Sequence, residues 1–202
     1  FVTSPGDVAE REAIEQQTIP ATVLSVDWEP GRGDYAKKMN YAWRATDHDW
    51  ALLGADDLAF HPGWLEELLR VADETHACVI GTNDRGNARV VSERHSTHTL
   101  VSRAYGECGT IDDPTLLLTE LYYHNFVDDE FVQTAMYRET WAMAADSIVE
   151  HLHPNWKKAA DDETYRRGAE RFGDDRVTFG LRKHLWEGGR RRTHVHQGGR
   201  AR

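Results

Sequence analysis

The stretch Trp50-Ala-Leu-Leu-Gly-Ala-Asp-Asp-Leu-Ala-Phe-His-Pro-Gly-Trp64 decides the fold of this chain. Its first part, Trp50 to Gly54, is a short apolar run typical of a strand that is buried on both faces of a parallel sheet. A helix is predicted soon afterwards, because apolar residues recur at helical spacing from Trp64 to Ala72. Asp56 and Asp57 therefore fall at the carboxyl end of a central strand, where open α/β sheets bind ligands.

Two adjacent carboxylates at a strand end repel each other and lose hydration, so a positive group is expected to compensate them. A divalent cation bound through oxygen is one candidate, especially where it also contacts a phosphate. The alternative is that Asp56 and Asp57 only form a turn and cap the following helix. This stretch by itself leaves both interpretations open.

Length and composition limit the class of protein. With 202 residues, 40% of them hydrophobic, the chain is long enough for one domain with a buried core. No apolar run is long enough to span a membrane, and no signal peptide is visible. Cys78 and Cys108 have no metal-binding or redox spacing, so we expect a reducing cytoplasm as the setting. The net charge of −10 argues against broad contact with nucleic acid.

Strand and helix signals alternate along the chain, which is the pattern of a doubly wound α/β domain. We expect one domain over residues 1–187 and a disordered basic tail, rich in glycine and arginine, over residues 188–202. This tail is a candidate contact for an anionic partner. Besides the stretch above, strands are predicted at Phe1–Ser4, Ala21–Val26, Cys78–Gly81 and Thr97–Arg103, the last with one exposed side, and helices at Val8–Gln17, Tyr35–Trp43, Phe131–Met136 and Asp161–Phe172.

Three further segments have residues that suit chemistry. The loop Gly31-Arg-Gly-Asp34 opens a helix and, with Arg32 and Lys37, suits a phosphate, although these basic residues also fit a solvated helix face. A carboxylate from Asp128-Asp-Glu130 is a candidate general base, or else an acidic first turn favoured by the helix dipole. Two histidines, His151 and His153, are candidate metal ligands that would favour manganese over magnesium.

The order of these motifs resembles the family 2-like, metal-dependent nucleotide-sugar glycosyltransferases of the GT-A fold. The resemblance covers about residues 1 to 180. It implies an α/β fold with a Rossmann-like, mostly parallel central sheet and helices on both faces. The segments that carry it are Gly33–Asn40, Leu52–Asp57, Phe60–Leu65, Asp128–Phe131 and His153-Pro154.

The resemblance also implies metal ligands. The family has an Asp-x-Asp motif, and the matching triplet here is Ala55-Asp56-Asp57, in which the first acid is absent. The metal role, for Mn²⁺ or Mg²⁺, therefore passes to Asp57, and Asp56 is expected to face the nucleotide-sugar. The late metal-binding histidine of the family corresponds to His153, with His151 as the second candidate.

Catalytic and donor-binding residues follow from the same resemblance. Asp128 corresponds to the catalytic base, and Asp129 is the second candidate. The family opens with a strand that this chain lacks, so we expect that an N-terminal strand is missing or that the protein is a shortened relative. The residues expected to contact the nucleotide-sugar are Thr3, Ser4, Asp7, Arg32, Gly33, Lys37, Asn40 and Asp56.

The function implied is inverting transfer of a sugar from a nucleotide-sugar, by default a UDP-sugar, to an acceptor hydroxyl. The acceptor is left open between a glycan, a small molecule and a hydroxylated base in DNA. One alternative is a non-catalytic module of the same fold that binds nucleotide-sugars or serves assembly. Another is a metal-dependent hydrolase that uses the same carboxylates on phosphate esters.

Overall fold

The computed structural model describes residues 1–18, 20–161 and 163–187. The predicted basic tail, 188–202, lies outside the described residues. The strands are β1 Val2–Thr3, β2 Leu24–Ser25, β3 Trp50–Leu53, β4 Leu58–Phe60, β5 Val79–Asn83, β6 Thr99–Ser102 and β7 Trp141–His151. The helices are α1 Val8–Glu15, α2 Asp34–Ala45, α3 Trp64–Thr75, α4 Ala88–Val91, α5 Arg103–Gly106, α6 Val127–Tyr137, α7 Glu163–Arg182 and α8 His184–Glu187, with a 3₁₀ turn at Pro154–Trp156.

The central sheet has five strands in the order β3-β6-β5-β7-β4, and β1 pairs with β2 in a separate parallel sheet. The predicted α/β class is confirmed, but the sheet is mixed. The pairs β3/β6, β5/β6 and β4/β7 are antiparallel, whereas β5/β7 is parallel. The direction of β6 was not visible in the sequence because its residues are buried on both faces, as they would be in a parallel strand.

Apolar side chains cover both faces of this sheet. On one face, Val79 and Val101 pack with residues of α2 and α6. On the other, Ile80 and Leu100 pack with the apolar stripe of α3, which includes Leu68. Since side chains alternate along a strand, neighbouring residues of β5 and β6 pack into the cores on opposite faces of the sheet. The predicted arrangement of helices on both faces is therefore present.

Two features of the sheet differ from the prediction. The strand β3 lies at the edge of the five-stranded sheet and not in its centre. The strand β6 has all four residues buried, so the predicted exposed side of the segment Thr97–Arg103 was wrong.

The longest strand, β7, was not predicted. Its partner residues in β5 jump from Gly81 with Met143 to Asn83 with Ile148, which marks a large irregularity in the strand. Beyond it, β7 pairs with the short strand β4, where Leu58 lies opposite His151. This pairing brings the end of β7 to the turn that contains the two aspartates. Among the described residues, none of the helices is long and apolar enough to cross a lipid bilayer.

Gly33 has a structural role that gives a first testable prediction. Its φ is 74°, and a Cβ at this position would lie 2.6 Å from the carbonyl oxygen of Glu120. Replacing Gly33 by alanine should lower the free energy of unfolding by about 1 to 3 kcal/mol, measured by urea denaturation. The control is Gly31→Ala, where no atom lies within 4 Å of the new Cβ. Equal losses in the two variants would contradict this assignment.

Candidate active site

The turn between β3 and β4 places Asp57 against the end of β7. The backbone N–H of Leu152 donates to the carbonyl of Asp57 across 2.8 Å. The side chains also meet, because His151 Nε2–H donates to Asp57 Oδ2 across 2.9 Å although the two residues are 94 positions apart. The hydroxyl of Tyr165, at the start of α7, donates to the same oxygen. Two distant segments, the end of β7 and the start of α7, therefore converge on one carboxylate.

Asp57 is held in its charged form. Burial raises the pKa of its carboxyl group, but the hydrogen bonds from His151 and Tyr165 outweigh this effect, so the pKa lies below its usual value. Its second oxygen, Oδ1, is buried and has no hydrogen-bond partner among the described residues. The same holds for Nδ1 of His151. A buried acceptor without a partner is costly, and a cation is one group that would satisfy it.

A further imidazole, that of His98, packs edge-on against His151 with 4.9 Å between the ring centroids. Its Nδ1–H donates to the carbonyl of Leu53 across 3.3 Å, and its Nε2 is buried with no partner in the described part of the chain. Burial, followed by the charge of His151, lowers the pKa of His98 to about 4. The His98 ring is therefore neutral at neutral pH.

This low pKa predicts how stability depends on pH. In the unfolded chain, a histidine titrates near pH ~6.5. Between about pH 6.5 and pH 4, only the unfolded state binds a proton at His98, so the free energy of unfolding should fall as the pH decreases, by up to about 1.4 kcal/mol per pH unit. His98→Asn retains a donor for Leu53 but does not titrate, so urea denaturation should show a weaker pH dependence. Identical dependence in both proteins would refute the prediction.

The other histidine predicted as a metal ligand, His153, lies next to His151. The ring of His153 contacts those of His151, Trp156 and Tyr165, with centroids 5.0, 4.9 and 4.5 Å away. Its Nδ1 accepts the backbone N–H of Asn155 across 3.1 Å. The structure thus places His151, the second metal candidate in the sequence, in direct contact with Asp57, whereas His153 lies beside it.

The candidate bases, Asp128 and Asp129, occupy the first turn of α6 and have different surroundings. Asp128 accepts a hydrogen bond from His95 Nε2 across 3.2 Å and lines a depression of about 230 Å³ that Tyr35 and Phe131 also line. Asp129 forms an ion pair with Arg89 and is not among the residues that line the depression. The depression therefore distinguishes the two acids and favours Asp128 as the residue that a ligand can reach.

The pKa values of the two acids are also shifted in opposite directions. Burial raises the pKa of Asp128, but the hydrogen bond and charge of His95 outweigh it, so the pKa lies below its usual value. The pKa of Asp129 is raised, first by burial and then by the charge of Asp128. Asp128 is therefore ionised at neutral pH, as a general base must be.

Tyr35 and His98 are each influenced by both candidate acids. Burial, with the negative charges of Asp128 and Asp57 added, raises the pKa of Tyr35. Both carboxylates also act electrostatically on His98. Because such effects weaken with distance, Asp57 and Asp128 both lie within electrostatic reach of Tyr35 and His98.

Ligand atoms of His95, Asp128 and Asp129 lie within 4.8 Å of one another, which is close enough for a cation to contact all three. This group already contains a positive charge, because the guanidinium of Arg89 pairs with Asp129. The unpartnered oxygen is on Asp57 instead. We therefore regard the turn after β3 as the better metal site.

Several residues that were predicted to contact the nucleotide-sugar instead hold the segment before α6 in place. Asn40 is 1% exposed; its amide donates to the carbonyl of Leu118 and to the side chain of Glu120, and its oxygen accepts the N–H of Leu118. The N–H of Gly33 donates to the carbonyl of Tyr122, 2.7 Å away. Asn40 and Gly33 therefore have their polar groups engaged within the protein. Of the two basic residues predicted beside them, Arg32 donates to the carbonyl of Leu121, and Lys37 lies half-buried on α2.

The predicted contacts near the N-terminus lie around the start of α1. Thr3 is buried and its hydroxyl bonds that of Ser25, while the hydroxyl of Ser4 accepts from Lys38. Asp7 caps α1 by accepting the N–H of Glu10 across 3.1 Å. Asp56 is exposed. The pKa of Glu10 is raised by burial and then by the charges of Asp7 and Asp56, so Asp56 lies within electrostatic reach of α1.

Four residues of this site were not predicted from the sequence: Tyr35, His95, His98 and Tyr165. The first lies on a predicted helix stripe, where an aromatic residue is typical of core packing. The other three belong to no motif. Their roles depend on contacts between segments that are distant in the sequence, for which a single sequence has no local signal.

Comparison with known proteins defines the family of this chain. Residues 14–143, more than half of the chain, match the model of the family described as glycosyl transferase family 2. The chain belongs to this family. The predicted resemblance is thereby confirmed.

Among solved structures, the chain is similar to glucosyl-3-phosphoglycerate synthase from Mycobacterium tuberculosis, crystallised with Mn²⁺, uridine-diphosphate-glucose and phosphoglyceric acid. The TM-score is 0.48 and the sequence identity is 16%, and the match covers 82% of this chain and 61% of the other. The chain therefore spans about three-fifths of the length of that protein. No curated protein sequence matches it significantly.

Proposed function

We propose that the chain is the catalytic domain of an inverting glycosyltransferase that moves a sugar from a nucleotide-sugar to an acceptor hydroxyl. The observation that carries this proposal is the contact of Asp57 with His151, in which Oδ1 of Asp57 is buried without a hydrogen-bond partner among the described residues. Family membership supports the same reaction class. By the usual donors of the family, a UDP-sugar is the first choice.

The metal would be held by Asp57 and His151, with His153 as the adjacent imidazole. The residues fit such a group, because Oδ1 of Asp57 and Nδ1 of His151 are buried without a hydrogen-bond partner among the described residues. One carboxylate and an imidazole suit Mn²⁺, and a carboxylate alone suits Mg²⁺. When bound, the cation would neutralise the charge that develops on the departing diphosphate.

Asp128 would act as the general base. Its carboxylate accepts the proton of the acceptor hydroxyl while the hydroxyl oxygen forms a bond to the anomeric carbon. The bond from that carbon to the diphosphate oxygen breaks at the same time, and its electron pair leaves with the diphosphate. A single displacement of this kind inverts the anomeric configuration.

The rings of Tyr35 and His98 would both be neutral near the two acids. Tyr35 and His98 add no full charge near Asp57 and Asp128 at neutral pH, because burial disfavours both ionised forms. Asp57 thus stays available to a cation and Asp128 to a hydroxyl proton.

The test is turnover of nucleotide-sugars in the presence of Mn²⁺ with a panel of acceptors that includes glycans, small polyols and hydroxymethylated DNA. Proton NMR of the product reports the configuration of its anomeric carbon. We expect a β-linked product from an α-linked UDP-sugar. A product that retains the donor configuration, or turnover of simple phosphate esters in place of nucleotide-sugars, would contradict the proposal.

A further inference from the structure

His95 is a buried histidine to which the reaction above gives no role. It is 2% exposed and belongs to the connection between α4 and β6. The residue after it, Ser96, is fixed by its hydroxyl, which accepts the N–H of Thr82 across 2.9 Å and donates to the carbonyl of His98 across 2.6 Å. The backbone that carries the imidazole of His95 therefore has little freedom to move.

The imidazole fixes one side of the Asp128 carboxylate. Nε2–H of His95 donates to Oδ2 across 3.2 Å, and the backbone N–H of Asp129 donates to Oδ1 across 2.9 Å. Each oxygen thus has one donor within the protein and retains a lone pair. Nδ1 of His95 is buried without a hydrogen-bond partner among the described residues, so the bond to Asp128 is the polar contact that explains the position of the ring.

We propose that His95 is a positioning residue for Asp128, which holds the carboxylate in the orientation in which it lines the depression. This inference rests on the proposed function, because it requires Asp128 to be the base. An error of about 1 Å in the position of a reacting group can cost two orders of magnitude in rate. The role of His95 should therefore appear in kcat and not in the KM for the donor.

Several charged and titratable groups face the pair formed by His95 and Asp128. They are Asp128 and Asp129 from α6, Arg89 from α4 and, towards Asp128, His98 and Tyr35. Burial lowers the pKa of His95, but the hydrogen bond and charge of Asp128 outweigh it and raise the pKa above its usual value. Loss of the His95 proton removes the positive charge but keeps the Nε2–H donor, so Asp128 becomes a stronger base as the pH rises through this pKa.

Two variants separate a positioning role from a packing role. His95→Gln retains a donor near the position of Nε2 but does not titrate, whereas His95→Leu fills the space without any donor. With UDP-glucose and Mn²⁺ and water as acceptor, we expect His95→Leu to lower kcat at least about tenfold with little change in KM. His95→Gln should recover most of this turnover and lose the inflection of the wild-type pH profile. Wild-type kcat in His95→Leu, or no recovery in His95→Gln, would overturn the proposal.

A second measurement does not depend on turnover. In protein with ¹⁵N-labelled histidine, NMR follows the protonation of the His95 ring, and Asp128→Asn should lower its pKa clearly. An unchanged pKa would overturn the proposal. If Asp128→Asn instead shows this shift but has wild-type turnover, the proposed function fails because Asp128 is not the base, whereas the contact itself is confirmed.

Discussion

Replacing Asp57 by asparagine should lower the affinity for Mn²⁺ at least about 100-fold, because residues that only orient a ligand already contribute 10 to 100-fold. The substitution removes the charged oxygen that is buried without a hydrogen-bond partner among the described residues. It also weakens the acceptor for His151 and Tyr165. The loss should therefore be accompanied by a small decrease in the free energy of unfolding.

The measurement is titration of free Mn²⁺ by its electron paramagnetic resonance signal. The matched control is Asp56→Asn, which removes the same charge one residue earlier, at an exposed position within electrostatic reach of α1. It should reduce the Mn²⁺ affinity far less than Asp57→Asn. If Asp56→Asn has the larger effect, the metal ligand of this motif is the exposed acid and our assignment is wrong.

Replacing Asp128 by asparagine should lower kcat about 10²- to 10⁴-fold, the range expected when a general base is removed. Binding of the nucleotide should be unaffected, since the side chain of Asp128 bonds to His95 and to the backbone of Asp129, whereas the metal candidate Asp57 bonds to His151 and Tyr165. The amide oxygen can accept only one of the two hydrogen bonds that the carboxylate accepts, from His95 or from the backbone N–H of Asp129, so a small decrease in the free energy of unfolding should accompany the loss of kcat. Single-turnover kinetics with UDP-glucose and Mn²⁺ separates the two effects.

The control for this prediction is Asp129→Asn. Its carboxylate pairs with Arg89 and does not line the depression, so we expect a decrease in kcat of less than about tenfold. Denaturation should report a loss of stability in this variant, because the substitution leaves Arg89 without its ionised partner. Comparable losses of kcat in both variants would show that the acids act together.

The parts of the fold that were predicted are those with a local pattern. The apolar run of β3, the helical stripe of α3 and the acidic start of α6 all appear where periodicity and end signals placed them. The strand β7 has no such pattern, because its first half, Trp141-Ala-Met-Ala-Ala-Asp-Ser147, contains alanine and polar residues that are rare in strands. It forms because β4 and β5 provide backbone hydrogen-bonding partners on its two sides.

The site was predicted in part, through the order of motifs. Contact between Asp57 and the late histidines was implied by the family resemblance, but the choice of His151 depends on the pairing of β4 with β7. Asn40 and Gly33 have the residue types of a donor loop, yet both bind the chain before α6. A polar side chain and a glycine look the same in the sequence whether their partner is a ligand or a backbone segment.

Nucleotide binding by the intact chain tests the central claim most directly. Calorimetry would compare UDP and GDP with and without Mn²⁺, with magnesium as a second metal. The account predicts heat of binding for one nucleotide that requires the metal and disappears in Asp57→Asn. Tight binding without any metal, or binding that persists unchanged in Asp57→Asn, would contradict a donor site built on Asp57 and His151.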